Sequence, residues 1–279
     1  MDKIINEFIK KSLEEDLGIG DITSEACINK NAIGKAEMIA KENCHIAGVR
    51  IAKKIFSYYD KQLQFTPFKK DGTEVKCNEV IFSVYGNQQA ILATERLVLN
   101  CMQRMSGIAT KTNTFINEVK DLKTILLDTR KTCPSIRFLD KEAVRIGGAQ
   151  NHRNGLYDVI MIKDNHIDFS GSISNAIQNC HTHLKKIKKE IKIIIEVRDL
   201  EELQQVLDSG GVNRILLDNF STNNTKKAVD MVNGKFETES SGNINLKTVR
   251  EYALCGVNYI SIGHLTHSIR SIDLSMRCI

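Results

Sequence analysis

The sequence has few features that would interrupt the chain or hold it in a membrane. Only two prolines, Pro67 and Pro134, occur in its 279 residues, and a composition this poor in proline is typical of a compact globular protein. No uninterrupted apolar run approaches the roughly 18 residues that a membrane span needs. We therefore expect a compact chain that does not use a membrane as a partner.

The sequence also lacks closely spaced pairs of cysteines. None of the eight cysteines forms a C-x-x-C pair, which is the usual signature of a zinc or redox site. Without a signal sequence before them, they predict reduced, mostly buried thiols and a cytoplasmic location.

The sequence has only a small excess of one sign of charge. The 39 Lys and Arg residues exceed the 34 Asp and Glu residues by only five, which is mild for a nucleic-acid-binding protein. A basic RNA-binding module stays an alternative, but nothing resembles the aromatic strands of such modules. We expect no nucleic acid as a partner.

The length predicts about two domains of roughly 150 residues. An amphipathic helix that stops at Gly18, short β-type runs between Lys35 and Phe82 and a helix near Ile51–Tyr58 predict a small α+β domain. The segment Gln88–Val119 reads as helix, with a break near Ser106–Gly107. We predict a first domain over 1–107, on which the tail 269–279 packs.

The second predicted domain, 108–268, alternates short apolar strands with helices. The strands are predicted at 124–128, 159–163, 193–197, 214–218, 235–239 and 259–262. Strands this apolar, separated by helices, are typical of parallel β/α units. The pattern favours a closed barrel over an open sheet.

Polar residues recur where these strands end. They are Lys163, Glu196, Asp218, Glu239 and Ser261, and the last four recur at intervals of about 22 residues. In β/α barrels the loops after the strands meet at one mouth, where the chemistry takes place. We therefore expect these side chains to share one pocket.

The densest cationic stretch lies in the same region. It contains Arg130, Lys131, Arg145, His152, Arg153 and Lys163. A solvated face is the ordinary interpretation, but cations at strand ends predict an anionic ligand with several carboxylates or phosphates. Glu196 and Asp218 then have two possible roles, which could coexist: they hold Mg²⁺ with substrate phosphates, or they pair with Lys131 and Lys163.

Small residues follow the last two predicted strands. The segments 239–243 and 261–264 contain serine and glycine, which let main-chain N–H groups approach a ligand closely. Phosphate sites of such barrels lie in these loops.

Several segments together resemble the quinolinate phosphoribosyltransferase family. They are ERLVLNCMQRMSGIAT at 95–110, LDTRKTCP at 127–134, VRIGGAQNHRNGLYDVIMIKDNHI at 144–167, LLDN at 216–219, SGN at 241–243 and SIGHLTHS at 261–268. The resemblance implies an N-terminal α/β sandwich and an open parallel β/α barrel with fewer than eight strands. It also implies transfer of phosphoribosyl from 5-phosphoribosyl-1-diphosphate (PRPP) to quinolinate with decarboxylation, which gives nicotinate mononucleotide for de novo NAD biosynthesis.

The resemblance also implies roles for individual residues. Quinolinate would contact Arg130, His152, Arg153, Lys163 and, from the partner subunit, Arg96. The catalytic residues would be Lys131, Glu196 and Asp218, the last two beside Mg²⁺, and PRPP phosphates would contact Ser241, Gly242, Asn243, Ser261 and Gly263. Asn243 departs from the family pattern, in which a second glycine is frequent.

The resemblance further implies a homodimer with a shared active site, or a hexamer built from such dimers. A related phosphoribosyltransferase that acts on another pyridine carboxylate is the alternative function.

Overall fold

In a computed structural model, which describes residues 2–279, the chain divides into two compact units. The first contains the residues up to Asn113 together with Cys133–Gly148 and Ser268–Ile279, and the second contains Thr114–Thr132 and Ala149–His267. This division differs from the predicted one over 108–113, over 133–148 and at 268, all of which we assigned to the second domain.

The elements follow each other in mixed order. Up to residue 119 they are α1 (Asp2–Leu17), α2 (Ile22–Cys27), β1 (Ile33–Ala40), β2 (Cys44–His45), α3 (Val49–Tyr59), β3 (Gln64–Pro67), β4 (Glu74–Val75), β5 (Val80–Asn87) and α4 (Gln88–Val119). The remainder forms β6 (Ile125–Leu127), α5 (Arg137–Ile146), β7 (Ile160–Ile162), α6 (Asp164–Ser170), α7 (Ile173–Ile187), β8 (Ile193–Val197), α8 (Leu200–Ser209), β9 (Arg214–Asp218), α9 (Thr222–Val232), β10 (Glu237–Ser241), α10 (Val249–Leu254), β11 (Tyr259–Ser261), α11 (His264–His267) and β12 (Leu274–Cys278).

The first unit is built on an antiparallel sheet in the order β12-β1-β5-β3, beside a short β2-β4 pair. The predicted helices α1 and α3 are present, and their apolar faces are buried because hydrophobic residues recur at helical spacing. An aromatic cluster lies in the core, where the ring of Phe82 is 6.0 Å from that of Phe56 and 4.5 Å from that of Phe65. The tail pairs through β12 with β1.

The break predicted in α4 near Ser106–Gly107 is absent, because α4 is continuous over Gln88–Val119. Glycine is needed at position 107 for a different reason. A Cβ at position 107 would collide with the main-chain oxygen of Arg270, so the helix needs glycine where the chain before β12 passes close to it.

The second unit contains one parallel sheet in the order β6-β11-β10-β9-β8-β7. The strands lie where the sequence predicted them, except that β10 covers Glu237–Ser241 and not 235–239. Glu239 is therefore in the middle of its strand, opposite Leu216 of β9 and Tyr259 of β11. The prediction that Glu239 ends a strand is wrong.

The barrel is open, with six strands. In the described part of the chain, the edge strands β6 and β7 share no ladder, and a single bridge joins Leu127 to Gln150. The fold class is thus confirmed in its open form, whereas the closed barrel that the strand pattern favoured is wrong. Between residues 2 and 279, no helix is both long enough and apolar enough to cross a membrane.

Candidate active site

A cavity of about 660 Å³ lies at the carboxyl ends of the six parallel strands, within the second unit. Every predicted site residue except Arg96 lines it: Arg130, Lys131, His152, Arg153, Lys163, Glu196, Asp218, Ser241, Gly242, Asn243, Ser261 and Gly263. Arg96 is an exposed residue of α4. Because residues from all six strand ends reach the same space, the sheet must curve around it.

Positive charge is concentrated on one side of the cavity. Partial burial and the positive charge of Arg130 both lower the pKa of the Arg153 guanidinium. Two guanidinium groups that repel each other in this way favour a bound anion, which would neutralise both of them. The side chains at this end are therefore suited to carboxylate groups.

Lys163 and Glu196 form an ion pair, with Nζ 2.6 Å from Oε2. The salt-bridge interpretation is thus correct for this pair. On the neighbouring strand, Asp218 accepts a hydrogen bond from the Asn219 amide at 2.8 Å. Both carboxylates line the cavity, so the two interpretations of the acidic residues are compatible.

The loop that carries His152 and Arg153 is fixed by a buried carboxylate that sequence reasoning missed. Asp128 follows β6 and is fully buried. It accepts hydrogen bonds from the main-chain N–H of His152 at 2.8 Å and from the Asn151 amide at 2.7 Å. Its position directly after an apolar strand, as for Asp218, was the signal that could have identified it.

Each ring nitrogen of His152 faces a protein group, a main-chain N–H at Nδ1 and a carboxylate at Nε2. Nδ1 accepts a hydrogen bond from the main-chain N–H of Arg153 at 2.7 Å, and Nε2 lies 3.3 Å from Oε1 of Glu239. Burial alone would raise the pKa of Glu239, but contacts with His152, Arg214 and Ser261 outweigh it, and the pKa is lower than usual. Glu239 is therefore a carboxylate at the floor of the cavity.

The loop after β10 forms the opposite side. The N–H of Asn219 donates to the main-chain oxygen of Ser241 at 2.8 Å, and the Asn243 amide donates to Oδ1 of Asn219 at 3.1 Å. Gly242 between them has φ +97°. After β11, a Cβ at Gly263 would lie 2.9 Å from Cδ of Lys131, so glycine leaves room for the lysine. Both loops present main-chain groups and small side chains to the cavity.

Further polar residues line the cavity, among them Thr129, Asn219, Asn245, His264 and His267. Asn219 belongs to the LLDN motif, so its position directly after β9 was a signal for it. The rings of His264 and His267 are 5.4 Å apart.

Comparison with known proteins gives the family. A family model described as "Quinolinate phosphoribosyl transferase, N-terminal domain" matches residues 21–106, and one described as "Quinolinate phosphoribosyl transferase, C-terminal domain" matches residues 108–277. The chain belongs to the quinolinate phosphoribosyl transferase family. The resemblance drawn from the motifs is confirmed.

Members of the quinolinate phosphoribosyl transferase family match almost the whole chain. A Nicotiana tabacum protein named "Quinolinate phosphoribosyltransferase [decarboxylating] 2b, mitochondrial" is 40% identical over 98% of this chain and 82% of its own length. A Bacillus subtilis protein named "Probable nicotinate-nucleotide pyrophosphorylase [carboxylating]" is 40% identical over 98% of this chain and 92% of its own. The solved nicotinate-nucleotide pyrophosphorylase of Francisella tularensis superposes with a TM-score of 0.93 at 37% identity, and the match covers 100% of this chain and 97% of that one.

Proposed function

We propose that this protein transfers the phosphoribosyl group of PRPP to the ring nitrogen of quinolinate. The bond from the ribose C1 to diphosphate breaks, a bond from C1 to the pyridine nitrogen forms, and the 2-carboxylate leaves as CO₂ while the ring carbon takes a proton. The products are nicotinate mononucleotide, diphosphate and CO₂, for de novo NAD biosynthesis. The observation that carries this proposal is the cationic cavity at the strand ends of a chain of this family.

Quinolinate would bind at the cationic side of the cavity. Arg130 and Arg153 repel each other there, and each can hold a carboxylate with two parallel hydrogen bonds. Lys163 adds a third charge, which Glu196 partly neutralises. A dianion suits this set better than a monocarboxylate, because a single carboxylate would leave one guanidinium without a partner.

PRPP would lie across the loops of the last two strands. The main-chain groups at Ser241, Gly242, Asn243 and Gly263 would face its phosphates, with Ser261 deeper in the wall. Lys131, which follows β6 and lies beside Gly263, would lie between the two substrates. Its positive charge would stabilise the negative charge that develops on the departing diphosphate.

Glu196 and Asp218 would hold Mg²⁺ together with the phosphates of PRPP. In residues 2–279, no three His, Cys, Asp or Glu side chains gather into a metal site, but one or two carboxylates with substrate phosphates are the usual Mg²⁺ ligands. The donor set therefore fits. The ion would neutralise charge on the diphosphate.

The chain would contribute mainly position and charge. Holding the pyridine nitrogen opposite the C1–diphosphate bond replaces an encounter in solution with a fixed geometry. Once the nitrogen carries the ribose, the positive ring stabilises the carbanion left by CO₂. No general base is required.

Quinolinate, PRPP and Mg²⁺ should give nicotinate mononucleotide and an equal amount of CO₂. Quinolinate labelled in the 2-carboxylate, with chromatography of the nucleotide, measures both products. With nicotinate in its place, we expect a rate at least about 100-fold lower, because the missing carboxylate would leave a guanidinium of the cavity without the anion that it binds. Comparable rates with the two acids would favour the alternative, a related phosphoribosyltransferase for another pyridine carboxylate.

We further propose a homodimer in which Arg96 completes the partner's site, with a hexamer built from three such dimers as the larger alternative. Arg96→Ala and Arg130→Ala chains should each be inactive, but an equal mixture refolded together should regain about a quarter of wild-type activity. Half of the dimers would then be mixed, and each mixed dimer would have one complete site. Activity that stays at the sum of the two parents at every ratio would contradict a shared site.

A cytoplasmic location also stays a prediction. Some plant relatives carry the words mitochondrial or chloroplastic in their names.

A further inference from the structure

Glu239 is a charged residue in an unusual place. It lies in the middle of β10 inside the barrel, with no exposed surface. The interior of β/α barrels is ordinarily filled by branched apolar side chains, and a buried carboxylate is unfavourable unless other groups compensate its charge. Its partners should therefore indicate what it does.

One partner is Arg214 of β9, whose guanidinium donates to Glu239 at 2.9 Å. Arg214 also pairs with Glu237 at 3.1 Å and lies 3.6 Å from the centre of the Tyr259 ring. A single arginine thus serves two glutamates. Since buried ion pairs add little stability compared with apolar residues of the same size, the second carboxylate calls for a role beyond stability.

The other charged partner is His152, and here the orientation of the ring is informative. Because Nδ1 accepts the N–H of Arg153, the proton of the neutral ring is on Nε2, which faces Glu239. Both ring nitrogens are therefore turned to the protein. The 3.3 Å separation is long for a hydrogen bond, and such contacts often tighten when substrate binds.

These contacts form a chain from the barrel interior to the cavity. The carboxylate of Glu239 faces the ring of His152, the ring accepts a hydrogen bond from the main chain of Arg153, and the guanidinium of Arg153 lines the cationic side of the cavity. The resemblance instead implied that His152 binds quinolinate itself. In the structure, His152 is placed to act through Arg153.

We propose that Glu239 is a positioning residue, which fixes Arg153 for quinolinate by holding His152 in its Nε2–H form. This inference rests on the proposed function of the cavity. It assigns to Glu239 an effect on quinolinate that its ion pair with Arg214 alone would not produce.

The test compares Glu239→Gln with Glu237→Gln in the full-length enzyme. Both changes remove a carboxylate from Arg214, but Glu237 contacts Arg214 and Tyr259, whereas Glu239 also faces His152. We expect Glu239→Gln to raise the KM for quinolinate about tenfold, since a neutral amide is a weaker acceptor than a carboxylate, and to leave the KM for PRPP within about twofold. Glu237→Gln should leave both KM values within about twofold, although we expect its Tm to fall as much as that of Glu239→Gln.

A quinolinate KM that is unchanged in Glu239→Gln, or that rises equally in both variants, would overturn the positioning role. Absence of turnover in the wild-type enzyme would instead overturn the proposed function. If Glu239→Gln does not fold, a measurement on the wild-type enzyme still tests the proposal. Long-range ¹H–¹⁵N NMR, with His152 assigned by comparison with His152→Asn, should show the Nε2–H form, and a proton on Nδ1 would refute the proposal.

Discussion

Replacing Arg130 by alanine should lower kcat/KM for quinolinate by about two to three orders of magnitude, with the fold intact. Arg130 lies close enough to Arg153 for its charge to lower the pKa of that residue, so the two guanidinium groups are at the same end of the cavity and each would hold one carboxylate of quinolinate. Loss of a charged partner in such a site costs about 3–4 kcal/mol, and 1.4 kcal/mol corresponds to a factor of ten. Initial rates at varied quinolinate concentration measure kcat/KM, and a thermal melt shows whether the fold is intact.

Arg145→Ala is the matched control for this change. Arg145 belongs to the same cationic stretch of the sequence and is exposed, as Arg130 is, but it lies in the last turn of α5 and does not belong to the cavity lining found among residues 2–279. Its variant should behave like the wild type. Arg130→Lys should have a kcat/KM between those of the wild type and Arg130→Ala, because lysine keeps the positive charge and lacks the planar guanidinium. If the kcat/KM of Arg130→Ala were within about threefold of the wild-type value, Arg130 would not belong to the quinolinate site.

The positions of the site residues were predictable where a strand is apolar along its whole length. IIIEV and RILLD each contain a single acidic residue, at the next-to-last position of β8 and at the last position of β9, so the apolar runs before them place Glu196 and Asp218 at the barrel mouth. The same rule places Lys163 directly after β7.

The rule fails at β10 because the barrel interior is polar there. The strand is ETESS, whose inward side chains pair with Arg214 instead of forming an apolar run. The sequence pattern therefore shifted the strand by two residues toward Phe236. Which charges compensate each other inside a barrel depends on neighbouring strands, and a single strand's pattern does not contain that information.

A similar limit applies to the acidic residues that end strands. Asp128 and Asp218 both follow an apolar run, yet the first is buried against the main chain of the His152 loop and the second lines the cavity. The difference depends on the loop that folds back over each carboxylate. Spacing along the chain does not distinguish the two.

Gly242→Ala should weaken the binding of PRPP at least about thirtyfold and affect the binding of quinolinate much less. At φ +97°, an added Cβ would overlap the Asn219 amide and lie 2.8 Å from its main-chain nitrogen. The main chain would have to move, since a backbone atom cannot rotate away, and the loop that faces the phosphates would move with it. KM for PRPP at saturating quinolinate, together with direct binding of quinolinate to the free enzyme, separates the two substrates.

Gly234→Ala distinguishes this collision from backbone strain. Gly234 also has positive φ, at +72°, but apart from its two chain neighbours no atom of the described chain lies within 4 Å of where its Cβ would be. Both substitutions carry the strain of a left-handed residue, about 1 kcal/mol, so we expect both variants to melt earlier. Only Gly242→Ala should change the KM for PRPP, because only there does the added carbon displace the loop. If the two variants bind PRPP equally well, the loop after β10 does not contact the phosphates of PRPP.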